Sequence, residues 1–170
     1  MTFARIFTYA ICVAALTLGA TIQTVRAAAP QPVVLTLMQG SWSCTYQGPK
    51  GTQTSALTIT SQNPNWILIS SKEGAYGTTP AHDSITLLGY DSKKSQYVGF
   101  GGNTLPGADW GVGTAKASPT ATSFTVIGAY PPDPTHDKTM YTFTSSTMNW
   151  TDAWTEKGKA MTGHGSCTKQ

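Results

Sequence analysis

Two cysteines bracket nearly all of the chain that can fold: Cys44, in the segment Gly40-Ser41-Trp42-Ser43-Cys44, and Cys167, three residues from the C-terminus. A Gly-x-Trp opening a first strand, carrying a cysteine that can reach a last-strand partner, predicts a sheet whose two ends meet. Such a sheet is a closed barrel. Gly40, Trp42, Cys44 and Cys167 are the residues expected to be structural, with Trp42 plugging a closed end. A bridge spanning so long a loop would add on the order of 5 kcal/mol by restricting the unfolded ensemble.

Residues 1–27 carry an early positive charge at Arg5, an apolar stretch from Ile6 to Ala20, and small residues at the minus-three and minus-one positions of Val25-Arg26-Ala27. That is the pattern of a cleavable secretory leader. The apolar run is shorter than the ~20 residues a spanning helix needs, so no membrane span is expected in the mature chain. The expected compartment is secreted or periplasmic, where two cysteines pair because the surroundings are oxidising. Without the leader's Arg5 and Arg26, nine lysines face eight acids and the formal charge falls from +3 to +1. The lysines are scattered and no arginine remains, which argues against nucleic acid as a partner.

Residues 28–37 form a lead-in and residues 38–170 a single domain, with no linker, repeat or sustained helical period. The domain is a series of runs rich in Thr, Val, Ile, Tyr and Trp, each ended by Gly, Pro, Asn or Asp. That spacing belongs to an antiparallel all-β fold. Ten candidate strands follow: 41–46, 52–60, 66–71, 84–90, 96–101, 110–115, 123–129, 138–145, 148–156 and 159–168. Meander order favours an up-and-down, lipocalin-like barrel of eight to ten strands, since closure removes exposed edges. Longer gaps fall at 72–82, 103–109 and 130–137.

Alternate residues on a strand point to opposite faces. Trp42, Cys44 and Tyr46 therefore share one face, and Met148, Trp150, Asp152 and Trp154 share another. Trp150 and Trp154 flank a carboxylate that, if turned inward, must find a donor, a ligand or water. Together with Tyr46 they are the candidate ligand-binding residues. Parity leaves the inward and outward senses of that strand open. His82-Asp83 and His136-Asp137 do not make base-and-orienter pairs, because neighbours on an extended chain point apart. No G-x-S-x-G elbow supplies a nucleophile. Three separated histidines lack metal-site spacing, and no catalytic residue, metal ligand or cofactor is expected.

With Gly40-x-Trp42 opening the domain, Leu88-Gly89-Tyr90-Asp91 followed by Tyr97-Val98-Gly99-Phe100, and Trp110-Gly111-x-Gly113 after a loop, the chain resembles a lipocalin-like (calycin) barrel. More narrowly it is similar to a bacterial family of unknown function with a "GYD, turn, Y" hairpin. The likeness spans roughly residues 38–169. It departs from lipocalins in lacking the arginine that packs on the first-strand tryptophan. The resemblance implies an interior able to hold a small apolar molecule and supplies no catalytic residues. Haem-binding barrels of the nitrobindin kind have a similar layout, with an axial histidine near the C-terminus. Here Ser43-Cys44-Thr45-Tyr46 replaces their first-strand glycines, and parity turns His164 away from Cys167's face.

The expectation is therefore an exported barrel that binds a small, largely apolar molecule. The alternative is a protein-interaction or inhibitor module with a solid core, whose loops around Tyr76 and Tyr130 carry recognition.

Overall fold

A computed structural model describes residues 31–108, 110–130 and 138–170, apart from the side chains of residues 129 and 130. The leader, His136, the prolines at 131, 132 and 134, and the Tyr130 side chain lie outside the described residues.

All ten expected runs are strands, and they close into one antiparallel barrel in strict meander order. In chain order these are β1 (Gly40–Gly48), β2 (Gly51–Asn63), β3 (Trp66–Glu73), β4 (His82–Asp91) and β5 (Gln96–Asn103). They are followed by β6 (Gly111–Lys116), β7 (Ser123–Tyr130), β8 (Lys138–Phe143), β9 (Thr147–Glu156) and β10 (Lys159–Lys169). The last strand returns to the first, with Trp42 opposite Lys169 and Cys44 directly opposite Cys167. Their disulfide staples that closing seam across a sequence separation of 123.

The lead-in contains a short helix, α1 (Val33–Met38), that the sequence reading did not anticipate. It is too short to persist alone, so docking must hold it. Val34 and Leu35 are fully buried and Met38 nearly so. The Val33 amide donates to the Pro119 carbonyl at 2.8 Å, tying the helix to the β6–β7 connection. At its other end the Trp42 indole donates to Met38 O at 2.6 Å, and Lys169 Nζ donates to Leu37 O at 3.2 Å. Two side chains thus satisfy helix-end carbonyls that would otherwise lack partners. Lys169 also lies over the Trp42 ring, 5.2 Å from its centroid, so a lysine covers the tryptophan that arginine covers in lipocalins.

Meander topology gives the two ends of the barrel different work. The β2–β3, β4–β5, β6–β7 and β8–β9 connections share the end closed by α1. The β3–β4 and β5–β6 connections, two of the long gaps seen in the sequence, fall at the opposite end, where β7 ends and β8 begins.

Several inward and outward glycines are paired with large aromatics across a strand boundary. Trp66 lies over Gly89 outside the barrel, while Trp150 lies over Gly165 and Tyr46 over Gly163 inside it. A side chain at any of these glycines would occupy the ring's space, which accounts for the glycines of β10.

Candidate functional site

Between the α1 plug and the loop-bearing end lies a cavity of about 540 Å³. Its volume is within the range of small-molecule sites. The interior is therefore not the solid core of the alternative reading.

The wall is graded from apolar to polar. Toward the closed end it consists of Met38, Leu57, Leu88, Phe124, Phe143 and Met148. Aromatic contacts knit this part together: Tyr97 stacks on Phe124 at 4.6 Å and meets Tyr90 edge-on at 4.9 Å, and Tyr141 stacks on Phe143 at 5.9 Å. Toward the mouth the wall carries Gln53, Ser71, Glu73, Ser84, Tyr46 and Asp152.

Three of the four candidate ligand residues line this cavity. Tyr46 and Trp150 stack at 6.3 Å with a 7° interplanar angle, and Asp152 follows Trp150 on the same inward face. Closure of the barrel settles what parity left open, turning Asp152 inward. Trp154 keeps that parity and is half-buried, yet it sits nearer the rim and is not among the lining residues. Of the other tryptophans, Trp42 belongs to the closed end, Trp66 covers Gly89, and Trp110 is 52% exposed and stacks on Phe100 outside the barrel at 5.0 Å. Tyr76 folds back against Tyr46, edge to face at 5.6 Å, and its hydroxyl accepts from the Lys50 amide at 3.2 Å. It is part of the mouth rather than a freely projecting loop residue.

Glu73 is the site residue that sequence reasoning missed. It ends β3, directly opposite His82 at the start of β4. Ser84 donates to its Oε1 at 2.8 Å and Ser71 at 3.3 Å, while His82 Nε2 stands 3.8 Å from Oε2. Continuing the inward parity of Ile69 and Ser71 by one more step would have found it, but the polar Ser-Lys-Glu ending reads as the start of a loop. As expected, His82 and Asp83 point apart; the unexpected part is that His82 turns toward Glu73.

Two tyrosines are strongly perturbed. Burial, with repulsion from Tyr90, pushes the Tyr97 hydroxyl up to about 12, the Val34 backbone amide offsetting this a little. That hydroxyl is buried and, among the described residues, makes no well-formed hydrogen bond beyond the weak approach of the Val34 amide. Tyr141 is raised further by burial and then by the negative charges of Asp152 and Glu73. Both remain neutral donors at ordinary pH.

His164 is exposed on the outer face of β10, between buried Gly163 and Gly165. No group of three or more metal-ligating side chains occurs among the described residues. No described helix is long and apolar enough to cross a membrane.

No protein-family model matches the chain, and no curated protein matches it. Among solved structures, the chain is similar to Rv2717c from M. tuberculosis at 13% identity and a TM-score of 0.57, over 84% of this chain and 98% of that one. It also matches the S-type phycobiliprotein lyase CPES from Guillardia theta at 14% identity and a TM-score of 0.47, over 79% of this chain and 88% of that one. The class that the topology defines, and that the likeness to Rv2717c shares at the level of fold, is a closed ten-stranded antiparallel β-barrel.

Proposed function

We propose that this chain is an exported, lipocalin-like binding protein that holds a small, largely apolar molecule in its barrel. The observation that carries the reading is a cavity of about 540 Å³ sealed by α1 at one end and bordered by loops at the other. A ligand entering from the loop end would bury its apolar body against Leu57, Leu88, Phe124 and Met148. The gain is roughly 25 cal/mol per Å² of apolar area removed from water. Tyr46 and Asp152 fix its orientation at the mouth, and Trp150 reports its arrival. The calycin-like motifs support this reading, as does the barrel fold shared with Rv2717c. The Cys44–Cys167 pair is consistent with an oxidising compartment and so supports export.

Saturable change of tryptophan fluorescence by members of a lipophile panel tests the proposal. Trp150→Ala should weaken the tightest binder by about tenfold or more, as expected when a large buried ring is truncated. Absence of saturable binding across the panel would count against the proposal.

A further inference from the structure

We infer that the molecule held in this barrel is a flat, fused-ring compound, laid between an aromatic wall and a glycine wall, with Gly99 setting the width of the slot. This rests on the binding-barrel reading and adds the shape of the ligand to it.

The aromatic wall is laid on β10. Its inward residues Gly163 and Gly165 carry no side chains, so Tyr46 from β1 and Trp150 from β9 lie over them. Residues two apart on a strand are separated by about 6.6 Å. The two ring centroids are 6.3 Å apart and their planes within 7° of parallel. The rings are therefore tiled along the wall, an offset stack that presents one flat aromatic face. Tyr141 continues it from β8, 6.3 Å from Trp150 and tilted by 29°. All three rings line the cavity.

In the ten-strand circuit β6 stands diametrically opposite β1, with β5 beside it. Inward positions of these two strands are glycines set against each other, Gly99 opposite Gly113 and Gly101 opposite Gly111, and all four line the cavity. A sheet face that needed only filling would carry β-branched or aromatic side chains there. Local packing accounts for two of them: a Cβ on Gly101 would run into Thr86 Oγ1, and one on Gly113 would stand 2.7 Å from Val126 Cγ1. Gly99 has no such reason. Its φ lies outside the left-handed region. A Cβ there would meet Leu88 Cδ1 at 3.7 Å, Thr86 Cγ2 at 3.9 Å and Gly113 O at 4.0 Å, all ordinary contacts. The fold has room for a side chain at this position, and the space left open belongs to the cavity.

A gap between flat rings and bare backbone suits a thin, rigid occupant. A planar ring gains offset-stacked contact with Tyr46 and Trp150 beyond what its apolar area supplies, and it has no rotatable bonds to immobilise. Tyr97, the preceding inward residue of β5, is a separate mark of an occupant. It lines the cavity and is 1% exposed, and although the Val34 amide approaches its oxygen, its O–H has no acceptor among the described residues. A ring bearing an oxygen supplies the missing acceptor.

Three probes with ten carbons and one hydroxyl each separate shape from lipophilicity: planar 2-naphthol, puckered decahydro-2-naphthol and flexible decanol. Each is titrated into the oxidised protein by calorimetry. 2-Naphthol should bind at least about fivefold tighter than decahydro-2-naphthol, the size of one aromatic contact, although the saturated ring has the larger apolar surface. Gly99→Ala should leave the thermal melt unchanged or raised and weaken 2-naphthol at least about threefold, by overfilling the slot. Decanol should lose less, because a flexible chain bends around a methyl group. Equal affinity for the two ring probes, or a preference for the saturated one, would overturn the flat-ligand assignment and leave the binding barrel standing. Unchanged 2-naphthol affinity in Gly99→Ala, or a lowered melt, would overturn the role of Gly99. Failure of all three probes to bind would instead count against the binding-barrel reading itself.

Discussion

Tyr97 is placed awkwardly for a tyrosine: its ring packs well between Tyr90 and Phe124, but among the described residues its hydroxyl meets only the weak approach of the Val34 amide. Replacing it with phenylalanine keeps the ring and removes an unsatisfied buried group, so Tyr97→Phe should be more stable than the parent by about 1 kcal/mol at neutral pH. Its titration gives a second signature. The folded-state pKa of about 12 lies above the ordinary tyrosine value of about 10, so the folded state holds a proton that the unfolded chain releases first. The corresponding stability is complete below about pH 10 and is lost as pH rises through about 12. Tyr141, also raised, acts in the same direction. Urea melts between pH 8 and pH 12 should show a shallower alkaline loss for Tyr97→Phe than for the parent. Identical alkaline slopes would mean that Tyr97 is not the perturbed group.

At the level of elements, strands were readable because each carries its own signal. Alternation and β-rich composition mark the run, and Gly, Pro, Asn or Asp marks its end. Inner faces were half readable. Parity grouped Tyr46 with Trp42, and Asp152 with Trp150, but a period of two is symmetric and only closure of the sheet chose the inward side. Glu73 was lost because strand ends near a mouth are polar on both faces, which erases alternation where β3 and β4 still pair. The helix α1 was lost for a different reason: six residues carry too little periodicity, and its stability comes from packing under Trp42 and Lys169. The β1–β10 seam carries a testable load. Its ladder runs from Trp42–Lys169 to Gln47–His164, so the barrel can close without the disulfide, at lower stability. The Cys44→Ala, Cys167→Ala double variant should stay folded but lose about 2–5 kcal/mol, lowering Tm by roughly 5–15 °C. An unchanged melt would show that the bridge contributes nothing beyond the ladder.

For the whole molecule, meander order makes a container out of a sheet. Every even-to-odd connection lies at the end where α1 packs, and the odd-to-even ends of the strands lie at the other. A chain that needed only a stable fold would fill that interior with side chains. This one keeps about 540 Å³ open and sets two carboxylates at the entrance. Native mass spectrometry of the oxidised protein, incubated with a lipophile panel, tests the central claim most directly. One adduct per chain that survives gentle desolvation, leaves on denaturation and is diminished in Trp150→Ala is the predicted result. A clean apo mass against the entire panel would contradict the claim that this barrel is built to hold a small molecule.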